Sequence, residues 1–282
     1  MKKIKVGIIG TGSISTHHTA GYKALDNVEL YAACDINEQR VNDYAQKHGY
    51  KHVFTDYNEM LKLEDLDAVS VCTWNSVHAP ATIAALKAGK HVLCEKPMAM
   101  NATEALEMEK AAKESGKLLM IGFVRRFGND ARILKDFIDN GMLGDIYYSK
   151  ASYLRRAGSP GGWFGDKSRS GGGPLIDLGV HVIDLVRYLM DKPKAASITG
   201  ATFNKLGDRR NIKGAKGYRA TDDEAEIFDV EDLALGMIKF DNGSVLTVET
   251  SFSLNLKQDS GNIELFGTKS GVKIDPSLEF YS

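Results

Sequence analysis

A chain of 282 residues, 43% hydrophobic and 26% charged, has the composition of a globular protein and the length for two cores, which excludes a disordered or fibrous chain. Its formal net charge of −1, with no strongly basic segment, gives no footprint for a nucleic acid. The opening MKKIKVGIIG runs from basic residues through a short apolar stretch into a glycine turn, too short for a signal sequence or membrane span, so a cytoplasmic protein away from membranes is expected.

The pattern then alternates. Residues 5–9 read as a strand, 13–25 as a helix, 28–34 as a strand and 38–48 as a helix. Strands continue at 52–54, 68–72 and 91–94, with helices at 57–61 and 79–88 between them. Asn101, with Glu104 three residues on, opens an alanine-rich helix to Ser115, and residues 118–122 supply one more strand. Cys34, Cys72 and Cys94 are odd in number and widely spaced, each ending an apolar run. That is the mark of buried thiols rather than of a disulfide framework or a structural zinc site, and no metal is expected.

From Arg126 the character of the chain changes. Residues 126–140 read as a helix, 145–154 as a long strand exposed on one face, 157–173 as a loop rich in Gly, Ser and Pro, and 174–190 as a helix with proline at its first position. Strands follow at 196–203, 230–240, 244–252 and 262–266, with Asp241-Asn242-Gly243 as a hairpin turn. Residues 204–226, a basic run and then an acidic one, read as an exposed insertion. The predicted fold is α/β: an N-terminal doubly wound Rossmann domain over residues 1–123, and a C-terminal α+β domain over 124–282 with a mainly antiparallel sheet.

Gly10-Thr11-Gly12-Ser13-Ile14-Ser15 lies between the first strand and the first helix, where a glycine turn lets backbone approach a pyrophosphate at a helix N-terminus. Such a run alone is weak, since any tight turn uses glycines, and Ser15 stands where Gly or Ala is usual. Asp35, 20 residues after Ser15 at the end of the second strand, strengthens it. A carboxylate there accepts from the adenosine ribose hydroxyls and repels a 2′-phosphate, so NAD is favoured over NADP. A plain turn aspartate is the alternative, and Arg40 nearby keeps NADP open.

The segments GIIGTGSIS at 7–15, CTWNSVHAPATIAALKAGKHVLCEKPMA at 72–99 and GGGPLIDLGVHVIDLVRYL at 171–189 together resemble the glucose-fructose oxidoreductase / inositol dehydrogenase family (Gfo/Idh/MocA) over nearly the whole chain. The resemblance implies that Glu95-Lys96-Pro97 presents Lys96 to nicotinamide and substrate, and that Thr73, Asn75, His78 and Glu95 lie at cofactor-contact positions. The family more often carries proline where Trp74 stands. It implies too that Asp177 and His181 match the family's catalytic pair, that Trp163 is its aromatic over the substrate, and that the protein is a homodimer or homotetramer joined through an open sheet face. The family usually continues past Ser282 with a further strand and a closing helix, so a C-terminal domain cut short is expected.

Chemistry offers its own reasons beside these. A lysine beyond the carboxyl end of a Rossmann strand stabilises negative charge on a substrate oxygen, although lysines on loops are common. Asp177 and His181, four apart on a strongly apolar helix, project from one face, where the bland reading is a satisfied core pair. Asp184 orients His181 or pairs elsewhere. His78 serves equally as a helix-start residue, and Trp163 equally as an anchor for its loop. Tyr153 and Arg155 are further candidates to face a substrate.

The expected activity is NAD-dependent oxidation of a secondary hydroxyl of a cyclic polyol, sugar or sugar derivative, with His181 as base, Asp177 orienting it or a substrate hydroxyl, and Lys96 steadying the alkoxide. Two alternatives stay open: a non-catalytic NAD-sensing regulator, and an enzyme with permanently bound NAD acting in glycoside cleavage or sugar–sugar oxidoreduction.

Overall fold

The computed structural model describes residues 3–156, 158–207, 209, 220 and 227–282. The chain divides into two compact units, Met1–Gly122 with Ser168–Gly171, and Phe123–Lys167 with Gly172–Ser282. Most of the predicted insertion at 204–226 lies outside the described residues. No described helix is long and apolar enough to cross a membrane.

In the first unit, β1 (Ile4–Ile9), α1 (Ser13–Lys23), β2 (Val28–Cys34), α2 (Glu38–His48), β3 (His52–Phe54), α3 (Tyr57–Leu61), β4 (Ala68–Val71), α4 (Asn75–Lys87), β5 (His91–Cys94), α5 (Ala102–Ser115) and β6 (Leu119–Ile121) follow in order. The strands lie as β3-β2-β1-β4-β5-β6, every pair parallel, the doubly wound order of a dinucleotide fold. Alternation along β1 sends Ile8 to a core with Val41, Tyr44 and Tyr50 on one face, and Ile9 to a core with Val71, Leu86 and Met108 on the other. Helix ends are fixed locally. Asn37 accepts from Arg40 N at the start of α2, Asn101 accepts from Glu104 N at the start of α5, and Gly49 and Gly116 close those helices in the left-handed region.

Helix α4 starts at Asn75, four residues before the sequence placed it, and carries Pro80 inside. Here Pro80 forgoes one backbone bond in the second turn.

The second unit begins with a 3-10 turn over Val124–Phe127 and α6 (Asn129–Asp139), so the helix expected from residue 126 is broken at Gly128. Then come β7 (Ile146–Leu154), a 3-10 turn at Gly162–Gly165, α7 (Lys167–Ser170), a π turn at Leu175–Gly179, α8 (Val180–Leu189), β8 (Ala195–Phe203), β9 (Leu233–Phe240), β10 (Val245–Ser251), β11 (Ser260–Gly267), β12 (Gly271–Ile274) and β13 (Glu279–Tyr281). The loop expected at 157–173 thus contains two helical turns, and β12 and β13 are strands the sequence did not announce. They are too short for alternation to speak.

The strands lie as β13-β12-β11-β7-β10-β9-β8, antiparallel except for the parallel pair β7/β10. One face packs on α6 and α8 through Leu134, Leu185, Leu189, Leu246, Ile263 and Leu265. The other exposes Leu235 and Met237 and carries Tyr148 stacked on Phe266 at 5.4 Å.

Candidate active site

In the first unit the glycine turn shows why each residue is what it is. Gly10 has φ +89°, and a Cβ on it would lie 2.6 Å from the Cys72 carbonyl oxygen, so no other residue fits. Gly12 has ordinary φ and nothing within 4 Å of where a Cβ would stand, and it opens α1 without a side-chain cap. Space above Gly12 and uncapped N–H groups in the first turn suit a pyrophosphate, so a dinucleotide fits this turn. Ser15 is fully buried, and its hydroxyl donates to Gly12 O at 2.6 Å, which accounts for a serine at the third small position. Ile14 is 39% exposed on the first turn of α1.

Asp35 is buried and ties this turn to β2. Its Oδ2 accepts from Thr11 N and Thr11 Oγ1, both at 2.8 Å, and its Oδ1 accepts from Asn37 N at 2.9 Å. One acceptor position on Oδ1 remains, with Arg40 Nη1 3.7 Å away. The carboxylate therefore shapes the turn and keeps one lone pair open to a further donor.

After β4, Thr73 Oγ1 donates to Trp74 O at 3.2 Å, and Trp74 holds φ −64°, a value proline also adopts. Arg169 lies 4.4 Å over the indole of Trp74, and Asn75 Nδ2 donates to Ser170 O at 2.7 Å, so residues 168–171 are fastened to this unit. His78 is buried, with Nδ1 2.7 Å from Pro97 O and Nε2 3.2 Å from Thr73 O. Burial pulls the His78 imidazole below its ordinary pKa.

Glu95 and Lys96 follow β5 directly, and the Lys96–Pro97 peptide is cis. Glu95 Oε1 is 2.8 Å from His18 Nε2, and Oε2 accepts from Lys96 N at 3.1 Å. Burial pushes the Glu95 carboxyl up, but the hydrogen bonds from His18 and from the Lys96 N–H outweigh it and hold the group below the usual range. Burial drives the Cys72 thiol far up and Cys94 to about 12, so neither is a thiolate near neutrality.

In the second unit Asp177 sits in the π turn and His181 is the second residue of α8. Wide π turns are frequent at functional sites. Glu231, which the sequence reading passed over, holds the entry to that turn. Its Oε2 accepts from Gly173 N at 2.9 Å and its Oε1 from Leu175 N at 3.2 Å. Gly173 is obligatory here because a Cβ would collide with the Glu231 carbonyl oxygen. Asp184 pairs with the Arg126 guanidinium through both oxygens, with Nε to Oδ2 at 2.7 Å, rather than with His181.

Tyr153 and Arg155 line a cavity of 370 Å³ in the same unit, with Arg125, Asp259 and Asp275. Arg155 lies 5.1 Å over the Tyr153 ring, and Arg125 Nη2 donates to Asp275 Oδ2 at 2.8 Å. Arg125 had no sequence signal beyond its place beside Arg126. Trp163 stacks on Phe164 at 4.0 Å, and the described lining of the cavity includes neither it nor Asp177 or His181. Among the described residues, no group of three His, Cys, Asp or Glu side chains is arranged to hold a metal ion.

Two family profiles match the chain: "Oxidoreductase family, NAD-binding Rossmann fold" over residues 4–123 and "GFO/IDH/MocA C-terminal domain" over residues 131–273. The chain is 39% identical over 277 residues to the D-glucoside 3-dehydrogenase of Escherichia coli (strain K12), across 97% of this chain and 78% of that one. It is 29% identical over 272 residues to the myo-inositol 2-dehydrogenase of Thermotoga maritima, across 96% of this chain and 75% of that one. A solved levoglucosan dehydrogenase in complex with NADH and L-sorbose superposes with a TM-score of 0.84 at 26% identity, covering 100% of this chain and 80% of the other. With both halves matched, the chain belongs to the GFO/IDH/MocA family of oxidoreductases, and its first unit is an NAD-binding Rossmann domain.

Proposed function

We propose that this protein is an NAD-dependent dehydrogenase that oxidises a secondary hydroxyl of a sugar, sugar derivative or cyclic polyol. The main support is a buried Asp177 on a π turn with His181 at the start of the helix that follows, in an otherwise core-forming segment of a chain whose other unit carries Lys96 at the end of a Rossmann strand. NAD, when bound, accepts the hydride from the carbinol carbon. Gly10 to Ile14 and Asp35 hold it, with Thr73 and Asn75 at the neighbouring loop, while His78 contributes by donating its one N–H, from Nδ1, to the Pro97 carbonyl.

His181 takes the hydroxyl proton, a task suited to an imidazole. Asp177 orients the imidazole or a neighbouring hydroxyl, and the Lys96 ammonium stabilises the oxygen as negative charge grows on it. Tyr153, Arg155 and Trp163 face the rest of the substrate. The protein works in the cytoplasm as a homodimer or homotetramer, joined through the sheet face that exposes Leu235 and Met237.

The test is a panel of glucosides, inositols, free sugars, sugar acids and sugar phosphates, each with NAD and with NADP, followed by absorbance of the reduced cofactor. One or more sugars or polyols should give NADH. On the best substrate, H181N and K96A should each lower kcat roughly 10²-fold while NADH affinity stays within about twofold. Full turnover by H181N would remove His181 as the base.

A further inference from the structure

We propose that two imidazoles, a buried His78 and a half-buried His18, aim Lys96: His18 acting through Glu95, and His78 acting through the Pro97 carbonyl, are positioning residues for the lysine between them. The inference rests on the reading of Lys96 as the group that meets the substrate oxygen, and it concerns the first unit alone.

Glu95 immediately precedes Lys96, is 7% exposed, and has both oxygens engaged, one by His18 and one by the Lys96 backbone N–H. A buried carboxylate is costly unless it is fully hydrogen-bonded, and this one uses its bonds to fix the backbone entering the lysine. There is no slack around it, since a Cβ on Gly122 would lie 3.2 Å from Glu95 Oε1. On the far side of Lys96, the Pro97 carbonyl is 2.7 Å from His78 Nδ1. The backbone is thereby gripped on both sides of the residue whose ammonium group must be aimed.

The grip on the Glu95 side extends inward. His18 Nδ1 is 3.0 Å from Ser70 Oγ, which is 2.6 Å from the Tyr22 hydroxyl. An ionised Glu95 only accepts, so His18 Nε2 carries the proton. With a neutral imidazole every proton then has a place: Tyr22 donates to Ser70, Ser70 to Nδ1, and Nε2–H to Glu95. His18 and Tyr22 stand on α1, Ser70 on β4 and Glu95 after β5. The chain therefore links the helix that opens on the glycine turn to the strand end that bears Lys96.

The experiment compares two substitutions of matched polarity. The amide of H18Q reaches Glu95, whereas that of H18N reaches Ser70 and stops short. With methyl β-D-glucopyranoside or myo-inositol, whichever the parent oxidises faster, H18N should lower kcat at least tenfold with the Kd for NADH within twofold, and H18Q should stay within about threefold of the parent. In a K96A background H18N should cost nothing more, because residues acting through one group are not additive.

An equal cost of H18N with and without Lys96, or a loss of NADH affinity matching the loss of kcat, overturns the proposal. If H18N does not fold, G122A replaces it, crowding Glu95 without removing a polar group, and must show the same dependence on Lys96. If the parent oxidises neither compound, the functional reading fails separately. The positioning is then read from the ¹³C shift of dimethylated Lys96, assigned with K96R: a change in H18N that H18Q reverses supports it, and an unchanged signal refutes it.

Discussion

Two glycines two residues apart do different work. Gly10 is required by the chain itself, through its φ of +89° and its closeness to the Cys72 carbonyl, whereas Gly12 has room for a side chain. G10A should therefore destabilise the protein by more than about 1 kcal/mol and abolish NADH binding together. G12A should leave the melting temperature nearly unchanged while weakening NADH at least tenfold, because its methyl fills space left for the pyrophosphate. Thermal unfolding and NADH fluorescence titration separate the two, and a G12A protein with parental affinity would show that the cofactor does not approach Gly12. His78 makes a second prediction at this scale. Burial lowers its pKa below 6.5, so as pH falls through 6.5 the unfolded chain takes up a proton that the folded one refuses. Stability is full above that value and declines below it. H78Q should flatten this decline in urea midpoints measured across the window, leaving the contribution of His48, whose pKa is also lowered by burial.

Helix and strand ends explain what the sequence did and did not reveal. The glycine turn, Asp35 and the Asn101–Glu104 cap were legible because each is local: the residues that interact lie within a few positions or one strand–turn–helix unit. The π turn under Asp177 was not legible, since its entry is held by Glu231, more than fifty residues away, and no periodicity signals such a partner. The same holds for Asp184, whose partner Arg126 lies on the turn before α6. Glu231 is a sharp test of how the helix start is held. E231A leaves Gly173 N and Leu175 N without their acceptor, and should cost roughly 1–2 kcal/mol in chemical denaturation, as loss of a good helix cap does. It should also lower kcat by disturbing Asp177. If stability falls with kcat unaltered, the turn matters to the fold and not to the reaction.

At the scale of the whole molecule, the order of elements announced two domains and the class of each, because parallel and antiparallel sheets differ in how strands and helices alternate. What it could not announce was the parallel β7/β10 pair inside the second sheet, which depends on pairing between strands some ninety residues apart. Among the described residues, that sheet leaves Leu235 and Met237 exposed on the face that carries the Tyr148–Phe266 stack. With the proposed association through this face, M237D should shift the protein to monomers in light scattering at micromolar concentration, leaving the unfolding transition of each subunit intact. A parental mass unchanged by the charge would place the subunit contact elsewhere.

The short run from Ser168 to Gly171 has a consequence for anyone dividing this gene. It belongs to the first unit, fastened by Asn75 to Ser170 and by Trp74 under Arg169, yet the second unit precedes and follows it in the chain. The polypeptide therefore passes between units three times, at 122, at 167 and at 171. A fragment ending at Gly122 would leave the Asn75 amide and the Trp74 face bare. A hybrid enzyme made by one crossover at that point would join an N-terminal half from one parent to a clasp from the other. Recombination between relatives should succeed more often when positions 74 and 75 and the segment 168–171 are inherited together.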